Sequence, residues 1–186
     1  MSSSSVLSRL SSNTALLKTL QLTTIGALAI VSGVATSLYF WVIPIILRAK
    51  STRTKTSQFS HTIALGARYL QPSSRILGGC LAGLAILFYN NPNPTLASRW
   101  KYYALALAVL LPTAPYETYA IFPTNDRVIE MGKELEEEKQ DDFGDGRDEE
   151  VVELLKKWQR RHVGRIAGSV GGLMVSLWSV VAEQSF

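Results

Sequence analysis

No aspartate or glutamate occurs before Glu117, and 13 of the 15 acidic residues lie between Asp126 and Glu153, with Glu183 the last. A soluble domain keeps both signs of charge interspersed over its surface. A long stretch without one sign, broken by uncharged apolar runs, is what a bilayer-embedded chain carries. The overall hydrophobic share of 47% conceals this, because charge and apolarity are segregated along the 186 residues. The net charge of +4 comes from bases that flank apolar runs, so it points to a membrane and not to nucleic acid. One cysteine, Cys80, excludes an internal disulfide framework and a cysteine-built zinc site, and the only histidines are His61 and His162.

Four runs have the character of spans. Residues 22–47 carry no charge, and as a helix they rise about 39 Å against a hydrocarbon core of roughly 30 Å. Residues 102–122 and 163–182 also have spanning length. Residues 76–89 are short enough to be re-entrant, but counting them as a span places the basic loops on one side. The expectation is an all-α, integral-membrane four-helix bundle, with residues 21–186 forming one membrane domain behind a flexible tail at 1–20. Six bases and no acids lie in 48–75, and eight bases lie between Arg127 and Arg161. The positive-inside rule then makes both long loops cytosolic, including the acidic loop between helices 3 and 4, with both termini opposite. Within that loop, residues 134–150 are mostly charged and read as a solvated, mobile insert. An endomembrane, endoplasmic reticulum or vesicles, is the expected location.

Gly79 and Gly83 stand four apart, as do Gly164, Gly168 and Gly172, a spacing that lets another backbone approach closely. Packing within the bundle is the first reading of these faces, and a homodimer the second.

Polar groups at membrane depth are costly and mark function. Pro112 and Pro115 remove backbone donors and bend the third span near its end. Glu117, Tyr119, Thr124 and Asn125 follow within a few turns. Tyr119 and Thr124 equally suit an interfacial belt and a helix stop. Glu117, the one acid inside an apolar run, does not. At the start of the fourth span, Trp158, His162 and Arg165 fall at i, i+4 and i+7, on one helical face. Arg160 and Arg161 read as interfacial anchors, and His61, among serines and threonines, as solvated.

The string Pro115, Thr118, Pro123-Thr124-Asn125 and Val128, followed after the acidic stretch by Leu154-Leu155, Trp158, His162 and Arg165, resembles the DUF1772 membrane family, whose fungal members include the anthrone oxygenases. Gly26, Gly33, Ser37 and Pro44 resemble that family's opening helix, so the resemblance runs from about residue 24 to 178. It implies oxidation of an anthrone-type aromatic polyketide to the anthraquinone with molecular oxygen. The anthrone methylene is acidic, and its carbanion can reduce oxygen directly, so no cofactor is required beyond O2 as co-substrate. Under that resemblance His162 is the base, since an imidazole titrates near neutrality. Arg165 and Asn125 stabilise the developing oxyanion with Thr124, while Trp158, Tyr119 and Glu117 contact the flat substrate. A copper or iron centre on His61, His162 and Glu117 lacks metal-like spacing. A non-enzymatic membrane scaffold, and a transporter built on a Glu117–Arg165 pair, are the competing classes. No dinucleotide or phosphate-loop signature is present.

Overall fold

The computed structural model describes residues 9–10, 12–139 and 145–182, and among these there is no strand. Four helices carry the chain: α1 (Thr14–Leu47), α2 (Thr52–Tyr89), α3 (Pro94–Glu137) and α4 (Asp145–Val181). Each is long and apolar enough to cross a membrane, so the chain is an all-α, multi-pass membrane protein.

The helices are longer than the apolar runs inside them, which bears out counting the second run among the spans and changes two other expectations. The second apolar run is not a re-entrant segment but the end of a 38-residue helix, which at 1.5 Å per residue reaches about 57 Å. Most of the basic stretch 48–75 is therefore helix and not loop. Phe59 anchors it, since its side chain is fully buried in an apolar cluster although its sequence neighbours are polar. At the N-terminus, α1 begins at Thr14, inside the stretch read as tail, because Leu17 is buried in the core.

The contacts divide the chain into two compact units, and each unit draws on all four helices. The first comprises Met1–Ser32, Ser73–Pro112 and Gly168–Phe186. Its core is Leu17, Leu28, Leu77, Leu81, Leu84, Phe88, Tyr103 and Ala106, with Phe88 and Tyr103 stacked at 5.1 Å. The Tyr103 hydroxyl meets the Ser179 hydroxyl at 2.7 Å, and the Gln21 amide donates to the same Ser179 at 3.4 Å. Such bonds satisfy polar groups that lipid would leave bare. Close helix approach occurs at Gly171 and Gly172, where an added Cβ would meet Val109 at 3.0 Å and Leu110 at 3.2 Å. Gly79 and Gly83, by contrast, have nothing within 4 Å of a Cβ position. Among the described residues, the close approach that this spacing suggests is therefore absent at these two positions.

The second unit comprises Gly33–Pro72 and Thr113–Ala167. Its core joins Ile43, Ile46 and Phe59 to Ile121, Val128, Met131 and Leu135 of α3 and Val151, Leu155 and Trp158 of α4. The α4 positions recur at intervals of four and three, one apolar stripe on a helix whose other faces are charged. Gly132 lets α2 and α3 close up, since a Cβ there would stand 3.2 Å from Thr56 Cβ.

The acidic insert is more ordered at its edges than its composition suggests. Residues 134–137 continue α3, and α4 starts at Asp145. Arg127 pairs with Glu130 at 2.9 Å and Glu150 at 3.2 Å, and Arg147 pairs with Glu134. Lys55, whose side chain is 6% exposed, holds Asp148 at 2.8 Å, and Thr52 donates to the same carboxylate. Asp148 neutralises an otherwise buried cation, which is why the stretch folds back. The centre of the insert, residues 140–144, lies outside the described residues.

Candidate functional site

Every residue singled out from sequence as a site candidate lies within the second unit, and two local distortions shape that region. In α1, residues Leu38–Val42 form a π-helical turn, and the Ile43 N–H bonds to the Leu38 carbonyl. In α3, residues Glu117–Ile121 do the same, and the Phe122 N–H bonds to the Glu117 carbonyl. Each wide turn is followed at the same interval by a proline, Pro44 and Pro123, which has no N–H to continue the ladder.

Against these turns α4 presents Trp158 and His162, both with no exposed surface. Their rings are stacked at 4.5 Å and 15°, and Phe59 meets the Trp158 ring edge-on at 5.6 Å. The Trp158 Nε1–H donates to Asn125 Oδ1 at 2.6 Å. An indole only donates, so this bond fixes the amide with its oxygen towards Trp158 and its NH2 free to turn elsewhere. His162 Nε2 lies 3.0 Å from the Ala35 carbonyl oxygen. A carbonyl only accepts, so the proton sits on Nε2 and the lone pair on Nδ1. That Nδ1 is buried and has no hydrogen-bond partner among the described residues.

One turn further, the Arg165 Nε donates to Glu117 Oε1 at 2.7 Å, with side chains 17% and 14% exposed. The lone acid inside the third apolar run is thus neutralised by a cation on α4, as burial demands. The pair considered from sequence therefore exists, and four further N–H donors of Arg165 remain for other acceptors. Thr124 and Asn125 are both buried. Tyr119 is not with them: it is 82% exposed, so its ring lies on the outer surface and not among the stacked rings. One face of Trp158 is covered by His162. His61 is exposed, and among the described residues no three His, Cys, Asp or Glu side chains gather as a metal site, so His61, His162 and Glu117 do not assemble.

Several members were not legible in the sequence. Arg161, read as an anchor, reaches inward instead. Its Nη1 donates to the Ala120 carbonyl at 2.6 Å and to Thr124 Oγ1 at 3.3 Å, and its own carbonyl accepts from the Tyr116 hydroxyl at 2.6 Å. Gln159 donates to the Tyr39 carbonyl at 2.7 Å. Gly164 lets the Tyr116 ring approach, since a Cβ there would stand 2.7 Å from it. Phe59 had one signal, a lone aromatic in a polar amphipathic stretch. Ala35 had none, because it acts through its main chain.

The helical, multi-pass architecture and this buried aromatic–imidazole–guanidinium cluster define a membrane protein whose second unit holds a polar site built on α1, α3 and α4. The model of the anthrone oxygenase family matches residues 59–175, well over half of the chain, and the protein belongs to that family. The match takes in all seven candidate residues but begins after α1, so Ala35, Tyr39 and Pro44 lie outside it and the expected family likeness of the first helix is not covered. No curated protein and no solved structure gives a significant match.

Proposed function

We propose that this protein oxidises an anthrone-type aromatic polyketide to the corresponding anthraquinone, consuming one O2 and releasing one water, with His162 Nδ1 as the base and without a further cofactor. The observation that carries the reading is the lone pair on the buried Nδ1, with Arg165 three residues further along α4 and Asn125 bonded to the stacked Trp158, within a chain of the anthrone oxygenase family. Nδ1 removes a methylene proton, and the charge delocalises onto the substrate oxygen, where Arg165 and the Asn125 amide stabilise it. The carbanion passes one electron to O2, and the two radicals combine at the same carbon to a hydroperoxide. Loss of the second methylene hydrogen as a proton, with cleavage of the O–O bond, forms the new carbonyl and water. Electrons balance: the carbon is oxidised by four and O2 is reduced by four.

Because His162 has no exposed surface, substrate reaches Nδ1 only when α1 or α3 gives way, and the π-turns are where their ladders are weakest. The flat apolar substrate enters from the bilayer, in this reading, and the exposed Tyr119 lies on that outer face.

The test is turnover of anthrone by purified protein in lipid nanodiscs, measured above the slow spontaneous oxidation. His162→Ala should lower it about a hundredfold or more, since a positioned base contributes about 10²–10⁴. Activity that survives a chelator supports the metal-free form. Full activity in His162→Ala refutes the assignment of the base. The burial of His162 and Trp158 favours one second reading, a structural ring stack in a non-enzymatic scaffold. Under it His162→Phe would keep the fold, and the native protein would show no turnover.

A further inference from the structure

The two π-turns have the same construction, and α4 answers both with side-chain donors. In a helix, the carbonyl one residue beyond Leu38 can take the N–H of residue 43 or, in a wide turn, of residue 44. The first is committed to Leu38 and the second belongs to proline and does not exist, so the Tyr39 carbonyl has lost its donors within the helix. The Gln159 side-chain amide supplies one at 2.7 Å. On α3, Arg161 reaches the Ala120 carbonyl inside the other π-turn, two residues beyond the position that corresponds to Tyr39. His162, the next residue, donates to Ala35, about one turn before the α1 π-turn. Gln159 and His162 therefore grip the same stretch of α1 from the same stretch of α4.

We infer that Gln159 is a positioning residue: by capping the Tyr39 carbonyl it holds the α1 π-turn against α4, keeps the Ala35 carbonyl on His162 Nε2, and so determines which imidazole nitrogen carries the proton. Without that bond the Tyr39 carbonyl seeks another donor, α1 shifts, and Nε2 loses its acceptor. The two neutral tautomers then exchange, and the lone pair is no longer confined to Nδ1. The consequence for turnover rests on the reading of His162 as the base, but the consequence for the tautomer does not.

The chain has two histidines, so ring-¹⁵N-histidine labelling of the full protein in a His61→Asn background leaves one imidazole to observe. Protonated and unprotonated ring nitrogens resonate far apart, so the spectrum reports the tautomer directly. Unsubstituted Gln159 should give a single Nε2–H form. Gln159→Met, which keeps length and loses the donor, should give a mixture and lower kcat by about ten- to a hundredfold, as sub-ångström to ångström misplacement does, with KM little changed. Gln159→Lys, which returns a donor, should restore the single form. If Gln159→Met does not fold, Gln159→Asn, too short to reach Tyr39, serves in its place. A native imidazole found protonated on Nδ1, or an unchanged Nε2–H form in the donorless variant, overturns the inference. A tautomer that shifts in a protein with no anthrone turnover leaves the inference standing and refutes the catalytic reading instead.

Discussion

A single missing Cβ sets how α3 meets α4 in the second unit. At Gly164 a methyl group would stand 2.7 Å from Tyr116 Cε1 and Cζ. An aromatic ring end can often swing away, but here its hydroxyl is tied to the Arg161 carbonyl at 2.6 Å, so yielding means breaking that bond. Gly164→Ala is therefore expected to destabilise the protein by about 1–3 kcal/mol, as overpacking does. Thermal melts in detergent check it. Tyr116→Leu in the same chain should recover part of the loss, and a loss unchanged by that second substitution would show that the clash lies elsewhere. The same scale holds the Glu117–Arg165 pair. Its two ends must be removed together or not at all, because a lone survivor is a charge left without its partner.

At the scale of elements, α2, α3 and α4 continue past their apolar runs because their polar ends carry a core of their own. Val151, Leu155 and Trp158 place one stripe against Val128, Met131 and Leu135, while Lys55 and Asp148 pin the start of α4 to α2. The high charge of residues 134–150 suggests a dispensable insert, but Asp148 and Arg147 belong to this packing. Deleting residues 136–148 should therefore destabilise the second unit and not merely shorten a linker. Asp148→Asn alone should cost about 1–3 kcal/mol, because it leaves the buried Lys55 ammonium without a counter-charge. Adding Lys55→Met should return part of that loss. Additive losses in the double variant would mean the pair is not coupled.

At the scale of the whole molecule, four helices long enough to cross a bilayer return the chain to the side it started from. The α1–α2 and α3–α4 connections are then expected to share one side, and the positive-inside rule predicts that this side is the cytosol. In a Cys80→Ser background, Ser57→Cys and Lys139→Cys should both react with an impermeant maleimide from that side of sealed vesicles. Labelling from opposite sides would sink the four-span arrangement.

The sequence by itself determined the class and count of elements. Apolar runs of spanning length and an acid-free first half leave the helix as the backbone that satisfies its own hydrogen bonds within one segment in lipid. It also determined the Trp158–His162–Arg165 face, because helical periodicity is a local property. It placed Glu117 correctly as exceptional, since a carboxylate in an apolar run must find a cation. The tertiary structure alone decided what those residues touch. That Trp158 takes Asn125, that Tyr119 faces outward, and that a Cβ at Gly79 or Gly83 would meet none of the described residues follow from how the helices are rotated about their axes. That rotation is set by contacts far apart in sequence. The main-chain partners were the least legible of all: a carbonyl at Ala35 or Tyr39 has the same chemistry at every position. Only the wide turn ahead of Pro44, seen together with the donors of α4, shows which carbonyls needed one.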